Sequence, residues 1–201
     1  MSRARRRSAA ALLAALPLGC VEVALDNPQR YDDVPPSERL AVPCYYALDA
    51  GTEASVVEDM GYRVKLGPAV AGQLQAALGG LCRGTGRVRD PAEFAAVAGS
   101  DPSLLVEVQA AAEMDARAFT WAVNTGSVRG RASVRGLSEI SPRGYDFTAA
   151  GAKRQYYAEA GSGAEGLRRA LGDAVQDLVN RMRADRAALE AMAPRAAAPP
   201  P

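Results

Sequence analysis

The chain has 201 residues, of which 48% are hydrophobic, so it is long and apolar enough to form one domain with a substantial core. Its 24 basic and 23 acidic residues nearly cancel, and this balance excludes the clustered positive charge of a nucleic-acid-binding face. Histidine is absent, which excludes Ser-His-Asp and Cys-His catalysis and the usual zinc sites. We therefore predict no enzymatic activity, no metal ion and no cofactor.

The first nineteen residues follow the order of a secretory signal. Four arginines precede an uncharged apolar run from Ala9 to Leu16, and small residues come after it. This run is far shorter than the ~20 residues that span a bilayer, so it predicts an export signal rather than a membrane anchor. Removal of residues 1–19 leaves 20 basic and 23 acidic residues, which is a formal charge of −3.

The end of the signal, Leu16-Pro17-Leu18-Gly19-Cys20, resembles the lipobox of bacterial lipoproteins. The resemblance implies that Cys20 is diacylated on sulfur, that the chain is cut before it, and that the new amine is acylated. The membrane is therefore the first predicted partner. Pro17 departs from the family pattern, which has Leu, Val or Ile at that place. The alternatives are a cleaved signal without lipid and an uncleaved basic tail.

The residue after the cysteine bears on the location. Val21 stands there, and not the Asp that, by resemblance to enterobacterial lipoproteins, favours the inner membrane. We therefore expect a lipid anchor in the outer membrane, with the domain on the periplasmic face rather than on the cell surface. Residues 20–37 contain prolines and aspartates without a sustained period, which predicts a flexible tether ahead of a domain at residues 38–193.

The two remaining cysteines lie on apolar faces of predicted elements. Cys44 belongs to the alternating strand Leu40–Leu48, and Cys82 ends the apolar stripe of a helix that begins at Pro68. Both thiols should point into one strand-on-helix layer, and an exported protein favours a disulfide between them. Such a bridge would contribute about 3 to 4 kcal/mol by closing its loop. The alternative is two separate buried thiols.

The rest of the chain predicts further strands and two further helices. An Asp90-Pro91 start predicts a short helix ending at Ala98, and a long apolar stripe predicts a closing helix from Ala164 to about Met192. Turns are predicted at 124–126 and 141–144. The strands are predicted at 62–66, 104–110, 119–123, 127–137 and 145–157. The predicted class is α+β in two layers, a mainly antiparallel sheet covered by two helices, with a disordered Ala/Pro tail at residues 194–201.

The order of these elements resembles that of small envelope lipoproteins. The segments that carry the resemblance are Leu66-Gly67, Asp101-Pro102-Ser103-Leu104-Leu105-Val106 and the helix around Ala170-Leu171-Gly172-Asp173. They look like lipoproteins of the YajG, curli-assembly and penicillin-binding-protein-activator types. The element order is also similar to that of the LPS-assembly lipoprotein that plugs an outer-membrane barrel. The resemblance implies this fold and a non-enzymatic role.

Candidate partner-binding residues lie in the second half of the chain. Arg129, Arg131 and Arg135 share the polar face of one predicted strand, and Trp121 precedes it. The alternatives are a solvated sheet edge protected by charge and an aromatic core residue. The sequence Gly161–Gly166 has the spacing G-x-G-x-x-G, but no parallel strand bearing an acid follows, so it predicts a flexible helix start rather than a dinucleotide site.

These expectations combine into one predicted function. The chain should be a membrane-anchored envelope lipoprotein that binds or helps assemble another envelope component, and the expected component is a protein or protein complex. The first alternative is a carrier of a lipid or small apolar ligand, which requires an apolar cavity of several hundred Å3. The second is a histidine-free hydrolase, which requires converging carboxylates in a cleft.

Overall fold

The computed structural model describes residues 20–25, 28–115, 123–137, 141–154 and 164–193. The strands are β1 Val21–Glu22, β2 Cys44–Leu48, β3 Val56–Asp59, β4 Tyr62–Lys65, β5 Thr85–Arg87, β6 Leu104–Asp115, β7 Val123–Gly136 and β8 Arg143–Arg154. The helices are α1 Ala50–Ala54, α2 Leu66–Leu81, α3 Pro91–Ala98, α4 Glu165–Ala184 and α5 Arg186–Met192. The predicted α+β class is confirmed. The predicted signal and Ala/Pro tail lie outside the described residues.

The main sheet has five strands in the order β5-β2-β6-β7-β8. Its long strands β6, β7 and β8 are antiparallel, as the sequence predicts, but β2 runs parallel to both of its neighbours. Parallel neighbours need crossover connections, and α2 supplies one between β2 and β5. The strand predicted over Leu40–Leu48 begins later than predicted, at Cys44. Leu40 forms only an isolated bridge with Cys82.

One face of this sheet, which we call the inner face, is covered by α2 and α4. The apolar stripes of both helices are buried against alternate residues of the strands, including Val106, Val108 and Val134. The disulfide between Cys44 and Cys82 joins β2 to the end of α2, with 5.9 Å between the Cα atoms. The predicted bridge and its strand-on-helix setting are thus present in the structure. The predicted closing helix is two helices, because the chain bends at Asp185.

Helix α4 begins in close contact with β7. A Cβ atom added to Gly126 would lie 2.4 Å from the backbone of Leu167, and one added to Gly166 would lie 2.7 Å from Asn124 O. The predicted turn at 124–126 is therefore wrong, and β7 continues through it. Glycine is present there because the helix backbone approaches the strand, and not because the chain reverses.

The segment 20–37, predicted to be a flexible tether, packs on the domain in its described part. Leu25 and Val34 are buried in the main core. The Tyr31 hydroxyl donates a hydrogen bond to Gln73 Oε1 on α2. An extended segment held by a few separate side chains has no repeating pattern, and for that reason its sequence resembles that of a linker.

A second, three-stranded sheet has the order β1-β4-β3. The β3–β4 hairpin turns through Met60 and Gly61, which both have positive φ, at 46° and 84°. Two positive values at the centre of a two-residue loop are the geometry of a type I′ turn. Strand β1 adds to this hairpin in parallel, with Val21 opposite Tyr62.

Candidate functional site

The face of the main sheet opposite α2 and α4, which we call the outer face, is only partly covered by the described residues. Helix α3 packs its Phe94 against Tyr45 and Leu105 at one side of that face. Beyond α3 the strands present polar side chains, because residues directly across a ladder point to the same side. Gln109 is opposite Arg131, and Arg131 is in turn opposite Asp146.

A cleft of about 550 Å3 lies where α3 stops covering this face. Its floor includes Glu107 and Gln109 of β6, and its rim is formed where α1 and α3 begin. This volume lies within the range of small-molecule and peptide sites. The lining is nevertheless mixed in charge rather than apolar. It comprises Ala47, Leu48, Asp49, Ala50, Arg89, Asp90, Pro91, Glu107, Val108, Gln109, Arg131 and Ser133.

Each of the three acids in the cleft has a structural partner. Asp49 caps α1 by accepting from Thr52 N at 3.0 Å, and Asp90 caps α3 by accepting from Glu93 N at 2.8 Å. Glu107 pairs with Arg135 at 3.2 Å. These acids therefore fix helix starts and strand positions, which are structural roles.

The electrostatics of Asp49 agree with this role. Burial by itself raises the pKa of Asp49, but hydrogen bonds from the Thr52 side chain, Thr52 N and Gly51 N outweigh burial and lower the pKa below its ordinary value. A general acid at neutral pH requires a raised pKa instead. Asp49 is thus suited to remain ionised as a helix cap.

The structure brings together the three arginines predicted as partner-binding residues. Arg129, Arg131 and Arg135 all lie on the outer face of β7 and span roughly 20 Å along it. Arg135 is half-buried by its pair with Glu107, whereas Arg131 has only a loose contact, 3.8 Å, with Asp146. Arg129 forms no ion pair with any described residue. The row therefore exposes two guanidinium groups, those of Arg129 and Arg131, on the outer face.

Other predicted site residues lie elsewhere. Cys20 is exposed, immediately before β1. Trp121 lies outside the described residues, so the structure does not bear on its predicted role. The polar residues Glu107 and Gln109 alternate with apolar residues in the sequence, and this alternation is the signal that identifies the cleft floor. No such signal marks Asp49 or Arg89 as its rim, because distant parts of the chain form it.

Among the described residues, the inner face is packed more closely. The apolar space between α2, α4 and the sheet encloses only about 10 Å3, and Leu74, Phe147 and Leu171 are among the side chains that fill it. A drug-sized ligand needs a space at least about thirty times larger. Within the described ranges, no three metal-ligating side chains converge, and none of the helices there is long and apolar enough to cross a bilayer.

No family model matches the chain, and no curated protein matches it by sequence. Among solved structures, a Xanthomonas campestris protein of family DUF330 aligns with a TM-score of 0.49 and 12% identity, over 84% of this chain and 99% of the other. A minor lipoprotein from Acinetobacter baumannii aligns with a TM-score of 0.41 and 13% identity, over 72% of this chain and 94% of the other. Similarity of this size says nothing about a shared activity or partner.

Proposed function

We propose that this protein is a lipoprotein anchored through Cys20 on the periplasmic face of the outer membrane, and that its domain is a non-enzymatic binding module. Its binding surface is the outer face of the five-stranded sheet, and its partner is another envelope protein that presents carboxylates to Arg129 and Arg131. The cleft beside this arginine row is the single observation on which the proposal depends.

The anchor is supported by the lipobox-type sequence and by the position of Cys20. Its thiol is exposed, whereas Cys44 and Cys82 bond to each other inside the domain, so Cys20 is the cysteine that remains for acylation. Two or three acyl chains give stable attachment. Cys20→Ser should move the protein from the membrane fraction to an unprocessed or soluble form. If the variant still sediments with membranes after salt and carbonate washes, the proposed anchor is wrong.

The residues on the two faces of the sheet favour a binding module over a hydrolase or a ligand carrier. A hydrolase needs acids that are free to exchange protons, and the three acids of the cleft are engaged as two helix caps and one ion pair. A carrier needs a large apolar cavity, and the space between the helices and the sheet is filled by side chains. An open polar face on which Arg131 has only a loose ion pair, and Arg129 has none with the described residues, fits recognition of an acidic protein segment.

Site-specific photo-cross-linking in the producing bacterium tests the binding surface. A photoreactive amino acid at Ser133, in the cleft, should give a discrete protein adduct, because a bound partner lies within reach of that position. The same amino acid at Gln75, exposed on α2, is the matched control and should give none. Equal adducts at both positions, or none at either, would contradict the proposed surface.

A further inference from the structure

Cys20, the proposed anchor, lies directly next to the folded domain, with no flexible linker between them. Cys20 is followed at once by β1, where Val21 N donates to Gly61 O at 2.7 Å. Val23 N then donates to Arg63 O at 2.8 Å, so the start of the chain is fixed along β4. Consecutive Cα atoms are about 3.8 Å apart, and an acylated Cys20 would therefore lie within a few ångströms of the β3–β4 turn.

That turn exposes apolar side chains. Val21 is 55% exposed and Met60 is 58% exposed, and both lie beside the chain start. Met60 also has a φ of 46°, in the left-handed region that Gly, Asn and Asp favour. In water the exposed part of the Met60 side chain gains no free energy from burial. In contact with a lipid bilayer, its long apolar side chain would leave water.

The charges behind the turn are compensated. Glu22 pairs with Lys65 and Glu58 pairs with Arg63, each at 2.8 Å. Neutralised pairs are not repelled by anionic headgroups, so this end of the domain can approach a bilayer of either surface charge.

We propose that the Met60–Gly61 turn, together with Val21, is a membrane-contacting surface that holds the domain directly against the bilayer in one orientation. This inference rests on the proposed acylation of Cys20. The headgroup region of one leaflet is only roughly 5 to 8 Å thick, and the acyl chains of Cys20 must begin at its inner boundary. A residue hydrogen-bonded to the neighbour of Cys20 must then lie at the lipid surface.

The test uses the acylated protein in vesicles of phosphatidylethanolamine and phosphatidylglycerol, with and without brominated acyl chains. The chain has three cysteines, two of them bridged and the third acylated, so one introduced cysteine carries an environment-sensitive fluorophore uniquely. The labelled variants are Met60→Cys and, as the matched control, Val97→Cys on α3, where the native side chain is 54% exposed. Val56→Cys, at the far end of β3, gives a third depth.

The expected result is a blue-shifted probe at position 60 that loses at least about half of its fluorescence to the brominated lipids, as a group within the interface does. The probe at position 97 should lose almost none, and that at position 56 should fall between them. If Met60→Cys does not fold, stronger quenching at position 56 than at position 97 supports the proposal, and equal quenching at these two positions contradicts it.

Flotation of the vesicles separates the two proposals. A protein that does not float with them overturns both the anchor and this inference. A protein that floats while its residue-60 probe stays unquenched overturns only the membrane-contacting surface. A blue shift without bromolipid quenching also contradicts it, because a second protein copy then covers the turn.

Discussion

The two faces of the five-stranded sheet differ in what covers them. The inner face is covered by α2, α4 and the N-terminal segment, and the apolar space lined by Leu74, Phe147 and Leu171 encloses only about 10 Å3. Among the described residues, the outer face is covered on one side by the short α3, and a charged cleft of about 550 Å3 lies beside it. The difference indicates that stability comes mainly from the inner face, and we propose the outer face as the surface for recognition. Substitutions on the two faces should therefore act on different properties.

The largest loss of stability should follow truncation of a leucine between α4 and the inner face. Leu171 is fully buried there, so Leu171→Ala should lower the free energy of unfolding by about 2 to 5 kcal/mol. Urea unfolding of the mature chain measures this loss. Gln75→Ala on the exposed side of α2 is the control and should change the value by less than about 0.5 kcal/mol. A silent Leu171→Ala would contradict the assigned core.

Loss of the disulfide comes next. The bridge between Cys44 and Cys82 spans a separation of 38 residues. Replacing both cysteines by alanine should cost about 3 to 4 kcal/mol without abolishing the fold, because the bridge restricts the unfolded chain. Non-reducing peptide mass mapping checks the pairing, and urea unfolding checks the cost. Two alkylatable thiols in native oxidised protein would contradict this pairing.

The N-terminal segment should contribute through its few buried side chains. Leu25 is buried in the inner core, whereas Val21 is largely exposed. Leu25→Ala should cost about 1.5 to 3 kcal/mol, and Val21→Ala should cost almost nothing in a detergent-solubilised sample. Thermal melts of the two variants compare them directly. Equal melting temperatures would show that residues 20–37 act as the linker that their sequence suggests.

A smaller loss of stability should follow substitution of Asp49, the acid that caps α1 at the rim of the cleft. Because the folded pKa of Asp49 is lowered, its charge stabilises the fold above the unfolded pKa of about 3.9, and this contribution is lost as pH falls through the folded pKa. Asp49→Asn should therefore be less stable than the native chain by less than about 1 kcal/mol at pH 7, and this difference should shrink as the pH falls below the unfolded pKa of Asp49. A difference that persists unchanged at low pH would contradict the capping role of the carboxylate.

The sequence predicts the inner side of this molecule better than the rest. The stripes of α2 and α4, the alternation of β6 and the pairing of Cys44 with Cys82 each follow from apolar periodicity, which burial on one face imposes. Apolar periodicity does not predict two other features of the fold. The N-terminal segment is held by isolated contacts such as that of Tyr31 with Gln73. The glycines of β7 serve a close approach by α4 that no local pattern records.

The candidate site was predictable only in part for the same reason. Arg129 and Arg131 are two residues apart in one predicted strand. The alternation of side chains along a strand therefore places them on a common face. The cleft rim combines the starts of α1 and α3, which lie about forty residues apart in the chain. Their meeting is a property of the parallel pairing of β2, which the sequence does not predict.

The claim that the outer face binds a partner is tested most directly by reversing its charge. The double variant Arg129→Glu and Arg131→Glu should lower the free energy of unfolding by no more than about 1 kcal/mol, because both side chains are exposed and only Arg131 loses a contact, that with Asp146. Arg83→Glu, on an exposed arginine between α2 and β5, is the matched control. With the photoreactive amino acid at Ser133, the double variant should lose the cross-linked adduct and Arg83→Glu should keep it. An adduct of unchanged yield in the double variant would contradict the outer face as the binding surface.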